Sequence, residues 1–292
     1  MQIPKKSVIR NNLRLIISLL IIVLGILGYW FYEAYLINPN VVFYDMISNN
    51  LNTRSYVVTN YQQGSGGSLI ERTLVSTGST NRVMSLETTN IASSKATITT
   101  LSIGTPSTDY STYKKIDIGA SSAVYNQILG VWGVNSANGV NGQGGQLFKS
   151  IMLAPFIFSS PSMTQTNELV SYIKQNHVYL IKSSKIGKLN GRPVMNYEIT
   201  INLNSYAKLM NLFLNKIGYR NQGKGIQYSG NSTANLEISV DILSRQLVAL
   251  SYLGSNSIQV YGSYGINSPI KLPTKTIPLQ QLKNLISSLS KQ

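Results

Sequence analysis

The residue types that do chemistry are scarce in this chain. Its 292 residues include a single histidine, His177, and no cysteine. Ordinary zinc and copper sites draw several ligands from these two types, so no transition-metal centre and no cofactor is expected. A Ser-His-Asp triad would have to use His177. That residue reads as the start of a strand over 177–183, on the parity of Tyr179 and Ile181, which suits a packed or edge histidine better than a catalytic base. The carboxylates beyond the first 35 residues are Asp45, Asp109, Asp117, Asp241, Glu71, Glu87, Glu168, Glu198 and Glu237, with no clustering. A paired-carboxylate hydrolase needs the fold to bring two of them together. Glu198, Glu237 and Asp241 fall on polar strand faces, where solvent is the expected neighbour. The stretch Gly64-Ser-Gly-Gly67 lacks the Lys-Ser/Thr ending of a phosphate loop and joins two strands rather than a strand and a helix. The expectation is a chain that is not an enzyme and that binds or scaffolds.

Charge is the next constraint. Lys and Arg number 25 against 10 Asp and Glu, a net charge of +15. Lys5, Lys6, Arg10 and Arg14 precede an uncharged apolar run from Leu15 to Tyr32 that ends in Tyr29-Trp-Phe-Tyr32. At about 1.5 Å per residue this run is long enough to cross a hydrocarbon core of about 30 Å as a helix. The terminal rings are the types that settle at the membrane–water boundary. Basic residues before the span and Glu33 after it predict a cytoplasmic stub over 1–12, a transmembrane helix over 13–35 and an extracytoplasmic domain over 36–292, anchored in the cell membrane by a single pass. A cleaved secretory signal is the alternative, but small residues would then follow the apolar run. Without cysteine the external domain must stand on its core alone. The remaining positives are scattered, with the densest group at Lys182, Lys185, Lys188 and Arg192. Beside a membrane such a surface suits anionic lipid headgroups or anionic wall polymers, or serves only as a solvated face. No basic helix, zinc spacing or RNA-binding motif points to nucleic acid.

Periodicity then gives the elements. Val41–Asn52 reads as a short amphipathic helix, with Phe43, Ile47 and Leu51 four apart and Val42 and Met46 beside them. An antiparallel meander follows over 55–116, because its short polar links cannot hold a crossover helix. Ala123–Trp132 and Leu147–Phe158 are apolar enough to be helical, and the Gly/Asn-rich stretch 135–145 between them reads as a loop. Thr166–Lys174 reads as a helix. Asn190-Gly191 predicts a tight hairpin turn. Met195, Tyr197, Ile199, Ile201 and Leu203 alternate with polar residues, as do Leu236, Ile238, Val240 and Ile242. Asn204 and Ser205 are candidate caps for a helix over 206–217 that Gly218 ends. Gly223–Asn231 reads as another loop, and Pro278 opens a terminal helix. The class is α+β: nine or ten strands in one antiparallel sheet with helices on one side.

This order of elements, with the turn Asn190-Gly191-Arg192-Pro193, the strand Val194–Ile201, the turn Asp241-Ile-Leu-Ser-Arg-Gln-Leu247 and the closing segment Tyr264–Pro273, resembles the LolA/LolB-like lipoprotein-carrier superfamily and its LppX/LprG relatives. The likeness covers about residues 40–290. It implies a strongly curved, half-open barrel whose concave face, lidded by helices, holds acyl chains. The transmembrane anchor and the Gly/Asn-rich insert depart from carriers, which are soluble or lipidated.

The expected function is therefore a single-pass, membrane-anchored extracytoplasmic protein that buries a lipid or another apolar ligand without reacting with it. The apolar run supplies the candidate cavity wall: Leu147, Phe148, Ile151, Met152, Phe156 and Phe158. The same residues can instead complete the core. The alternative function is a structural or interaction ectodomain of a cell-envelope complex with no small-molecule ligand.

Overall fold

The computed structural model describes residues 6–77, 83–136, 144–152, 154–218, 232–266 and 269–289, and within these it leaves out the side chains of 6–16, 120–121 and 151–152. Most of the 135–145 loop, the 223–231 loop and the side chains of Ile151 and Met152 thus lie outside the described residues.

The chain opens with α1 (Lys6–Phe31), which continues into one wider helical turn at Tyr32–Leu36. Ile17–Leu36 is long and apolar enough to cross a membrane, and none of its residues is buried, although Leu36 at its end packs against the main core. Next comes α2 (Pro39–Leu51). The Asn38 side chain accepts from the backbone N–H groups of Asn40 and Val41, and Pro39 fills the first helical position, where no N–H is needed. The meander follows as β1 (Ser55–Gly64), β2 (Gly67–Ser76), β3 (Val83–Ala92), β4 (Thr97–Gly104) and β5 (Thr108–Asp117). A 3-10 helix over Ala120–Ile128 leads to β6 (Gly133–Ser136), then α3 (Gln146–Met152) and α4 (Met163–Gln175). Ser162 and Gln165 cap α4 reciprocally. The second β section runs β7 (Tyr179–Leu189), β8 (Arg192–Asn202), α5 (Leu203–Lys216), β9 (Thr233–Asp241), β10 (Leu247–Tyr252) and β11 (Ser257–Gly262). The chain closes with β12 (Ile277–Pro278) and α6 (Leu279–Leu289).

Among the described residues, twelve strands form one open sheet in the order β12-β6-β5-β4-β3-β2-β1-β11-β10-β9-β8-β7. Every pairing is antiparallel except the short β12–β6 pair, so the sheet is mixed and wider than the nine or ten strands expected. The two extra strands, β6 and β12, are too short to show an alternation. Asn190 and Gly191, at φ 49° and 79°, make the two-residue turn that joins β7 to β8. Asn202, rather than Asn204 or Ser205, caps α5 by accepting from the Ser205 N–H.

One face of the sheet carries the helices. Leu236, Ile238 and Val240 of β9 and Met195, Tyr197, Ile199 and Ile201 of β8 are buried there beneath Phe43 and Met46 of α2, Leu169 of α4 and Leu209, Met210 and Phe213 of α5. The strand register carries this face across the sheet to Gly104 and Ser111, where α3 and α6 settle. Both landing points need the missing side chain. A Cβ on Gly104 would lie 3.0 Å from the Phe148 nitrogen, and one on Gly133, the partner of Ser111, would lie 2.9 Å from Leu279. Asp109, paired with Gly104, accepts from the N–H groups of Gln146 and Leu147 at 2.9 and 3.3 Å and so caps α3 from the neighbouring strand.

A buried arginine joins the apolar N-terminal helix to this domain. Arg245 sits in the β9–β10 turn, which the Asp241 carboxylate organises by accepting from the N–H groups of Leu243 and Ser244. Its guanidinium donates to the carbonyls of Tyr35 and Leu36 at 3.1 and 3.0 Å and pairs with Asp45 at 3.5 Å. These carbonyls end a helix and have no partner further along it, so a cation at that point satisfies both hydrogen bonding and the helix dipole.

Candidate functional site

The apolar run expected to line a cavity divides in the fold. Phe148, Phe156 and Phe158 are 3%, 2% and 5% exposed and belong to the main core. The Phe156 ring stacks on Tyr179 at 5.2 Å and meets Phe43 edge-on, while Phe158 stacks on Tyr56 at 4.2 Å. The void beside Phe156 measures about 10 Å³, room for about one water and too small for a ligand. Only the first part of the run is helical; Ala154–Ser159 is irregular chain buried under α2 and α5. Buried backbone needs partners, and two tyrosines supply them. The Tyr179 hydroxyl donates to the Pro155 carbonyl at 2.8 Å, and the Tyr206 hydroxyl donates to the carbonyl of Ala154. Burial pushes the Tyr179 phenol far above its ordinary pKa, which keeps it a donor.

Leu147 has a different neighbourhood. It borders a cleft of about 340 Å³ on the helix-covered face, together with Tyr56, Val58, Met84 and Leu86 on the floor and Ala154 and Pro155 at one wall. The opposite end of the cleft is polar, with Asn60, Glu71, Gln259 and Tyr252. The register explains the gradient. Nearest the core, one row across β1–β4 reads Tyr56, Val75, Met84 and Gly104. The next row outward reads Val58, Thr73, Leu86 and Ser102, and the third reads Asn60, Glu71, Thr88 and Thr100. The cleft lies beside α3, which settles on the inner row at Gly104, while α6 borders a separate concavity of about 230 Å³ with Thr100, Ser102 and Ser111. The short side chains between them do not fill the space.

Hydrogen bonds hold the polar end. The Asn60 amide donates to Glu71 at 3.0 Å and accepts from the Ser257 hydroxyl at 2.6 Å. The Tyr261 hydroxyl donates to the Gln259 side chain at 2.7 Å. Burial raises the Tyr56 and Tyr264 phenols well above their ordinary range, so both rings are neutral apolar surface with a donor at the tip.

The other sequence candidates are dispersed. His177 is exposed at φ 46°, in the turn between α4 and β7 rather than in a strand, so the expected parity with Tyr179 does not apply. Asp241 is buried in its turn rather than solvated. Glu198 and Glu237 do meet as direct register partners, exposed on the face opposite the helices. They line a concavity of about 520 Å³ with Ser183, Lys185, Asn196 and Ser239. Ala249 and Ile258 also border it, but it lies on the face without helices and its lining is more polar than the cleft's. Among the described residues, no group of three or more His, Cys, Asp or Glu side chains is placed to hold a metal.

Sequence reasoning named Leu147, which borders the cleft, but not the floor residues, because Val58, Thr73 and Leu86 alternate like any half-buried strand. A signal was present in the Thr- and Ser-rich composition of β3 to β5, which cannot fill a core. No protein-family model matches this chain, and no curated protein matches it.

Proposed function

We propose that the chain is a membrane-tethered ectodomain that shelters an apolar ligand, such as a lipid acyl chain, in the cleft between α3 and strands β1–β3. The observation that carries this reading is the cleft itself: about 340 Å³ with an apolar floor and a polar rim. Ligand pockets run from about 300 to 1,000 Å³ and share this division of lining. The resemblance in element order to the lipoprotein-carrier superfamily supports it, with the open sheet as a half-barrel and α3 and α6 as its lids. The positive stub would hold the N-terminus in the cytoplasm and the domain outside. Binding would be burial rather than reaction, with each methylene removed from water contributing about 0.8 kcal/mol.

The test is lipid recovery. Full-length protein extracted from its membrane should yield more bound lipid by mass spectrometry than a Leu86→Trp variant, whose larger side chain fills the cleft. Denaturation of both variants checks that the fold survives. Equal lipid from two folded proteins would remove the reading.

A second reading has an observation of its own. The core around Phe156 is filled, and the face without helices exposes Tyr61, Ile258 and Val260 side by side. An envelope scaffold that docks another protein would show both features, and it becomes the leading reading if the lipid test fails.

A further inference from the structure

The polar end of the cleft narrows the class of ligand, on the reading that the cleft is the binding site. Among the described residues that line it, Glu71 is the only charged side chain. It stands in the third row of the face, one row outward from Val58 and Leu86 and two outward from Tyr56 and Met84. A chain laid along the floor with its tail toward the core therefore places its head beside the Glu71 carboxylate. The carboxylate is held in place by the Asn60 amide, itself fixed by Ser257. Tyr252 borders the same end, while the Tyr261 ring packs toward the core on Tyr56 and Phe158. A fixed carboxylate at the end of an apolar floor attracts an ammonium group through charge. It repels a carboxylate or phosphate head at the same point.

We infer that the cleft selects amphiphiles with a cationic, amine-bearing head over those with an anionic head. The selection runs against the chain as a whole, whose net charge of +15 would favour anions anywhere on its surface. Glu71 is thus a local reversal of sign inside a basic protein, and this makes the inference separable from non-specific adsorption.

The experiment compares octylamine, octanol and octanoate, which share one tail and differ in head charge. Binding is measured by calorimetry to the full-length chain held in amphipol, with wild type, Glu71→Gln and Leu86→Trp side by side. Glu71→Gln keeps the acceptor for Asn60 and removes only the charge. The expected result is octylamine binding at least about tenfold tighter than octanoate to wild type, a preference abolished in Glu71→Gln while octanol is unchanged, and loss of all three in Leu86→Trp. Octanoate binding as tightly as octylamine, or a preference that survives Glu71→Gln, overturns the inference and leaves the cleft as the site. Binding of all three that is unchanged in Leu86→Trp, or no binding of any probe to wild type, overturns the cleft reading itself and the inference with it.

Discussion

The two halves of the helix-covered face differ in how their strands are completed. Over β8 and β9 the inward residues from Met195 to Ile201 and from Leu236 to Val240 are long and apolar, and α2, α4 and α5 supply partners of matching size. Met195, Tyr197, Ile199, Leu236, Ile238 and Val240 are all at most 3% exposed. Over β2 to β5 Val75 and Met84 still join the core, but most inward residues beyond them are short, among them Thr73, Thr88, Thr100, Ser102 and Ser111. One half is close-packed, so it carries the stability; the other keeps unfilled space, so it can carry a ligand. The sheet is continuous through both, which lets a rigid core hold an incompletely packed surface in shape.

The widest separation of the two halves should come from large-to-small substitutions. Phe156→Ala removes a ring enclosed by Phe43 and Tyr179 and is expected to cost about 3–5 kcal/mol in chemical denaturation. Leu86→Ala, on the cleft floor and half-buried, should cost less than about 2 kcal/mol, the low end for fully buried leucines. Similar losses at the two sites would dissolve the distinction.

A smaller effect is expected at the joint with the apolar helix. Arg245→Met leaves the carbonyls of Tyr35 and Leu36 and the Asp45 carboxylate without their cation, at a cost of about 1.5–3 kcal/mol. Because those carbonyls belong to the segment entering the domain, proteolysis across residues 32–38 should accelerate in the variant. An unchanged cleavage rate would show that the joint does not depend on Arg245.

The smallest expected effect concerns the cap that fixes α3 over the cleft. Asp109→Asn should cost about 1 kcal/mol or less, since the amide still offers an acceptor to Gln146 and Leu147. Its pH signature is more specific. Burial raises the Asp109 pKa, opposed by the N–H groups of Gln146, Leu147 and Gly145. The folded protein therefore holds this proton more tightly than the unfolded chain. The contribution to stability is greatest below the unfolded carboxylate pKa and falls as pH rises through the higher folded value. The denaturation midpoint of Asp109→Asn should lack that component, and parallel pH slopes for wild type and variant would show that the carboxyl is not desolvated.

Much of the architecture is written in local pattern. Alternation in 193–203 and 236–242 identified the buried faces of β8 and β9, because side chains on a strand point to opposite sides in turn. Phe43, Ile47 and Leu51 identified the inner stripe of α2 for the equivalent helical reason, and Asn190-Gly191 specified the turn that only residues tolerant of positive φ can make. The uncharged run before Tyr32 announced a helix able to cross a membrane. Pattern reports which way a residue points but not what it meets. Whether Phe156 would line a cavity or close a core depended on Phe43, more than a hundred positions away, and on two tyrosine hydroxyls that make irregular backbone tolerable at 154–155. Whether Leu147 would be covered depended on Gly104 and Asp109, which fix the landing of α3. The sequence alone thus determined the elements and their inner faces, since these follow from neighbours along the chain. The tertiary structure decided which inner face is filled and which is left open, since filling is a matter of volume shared between segments that only folding brings together.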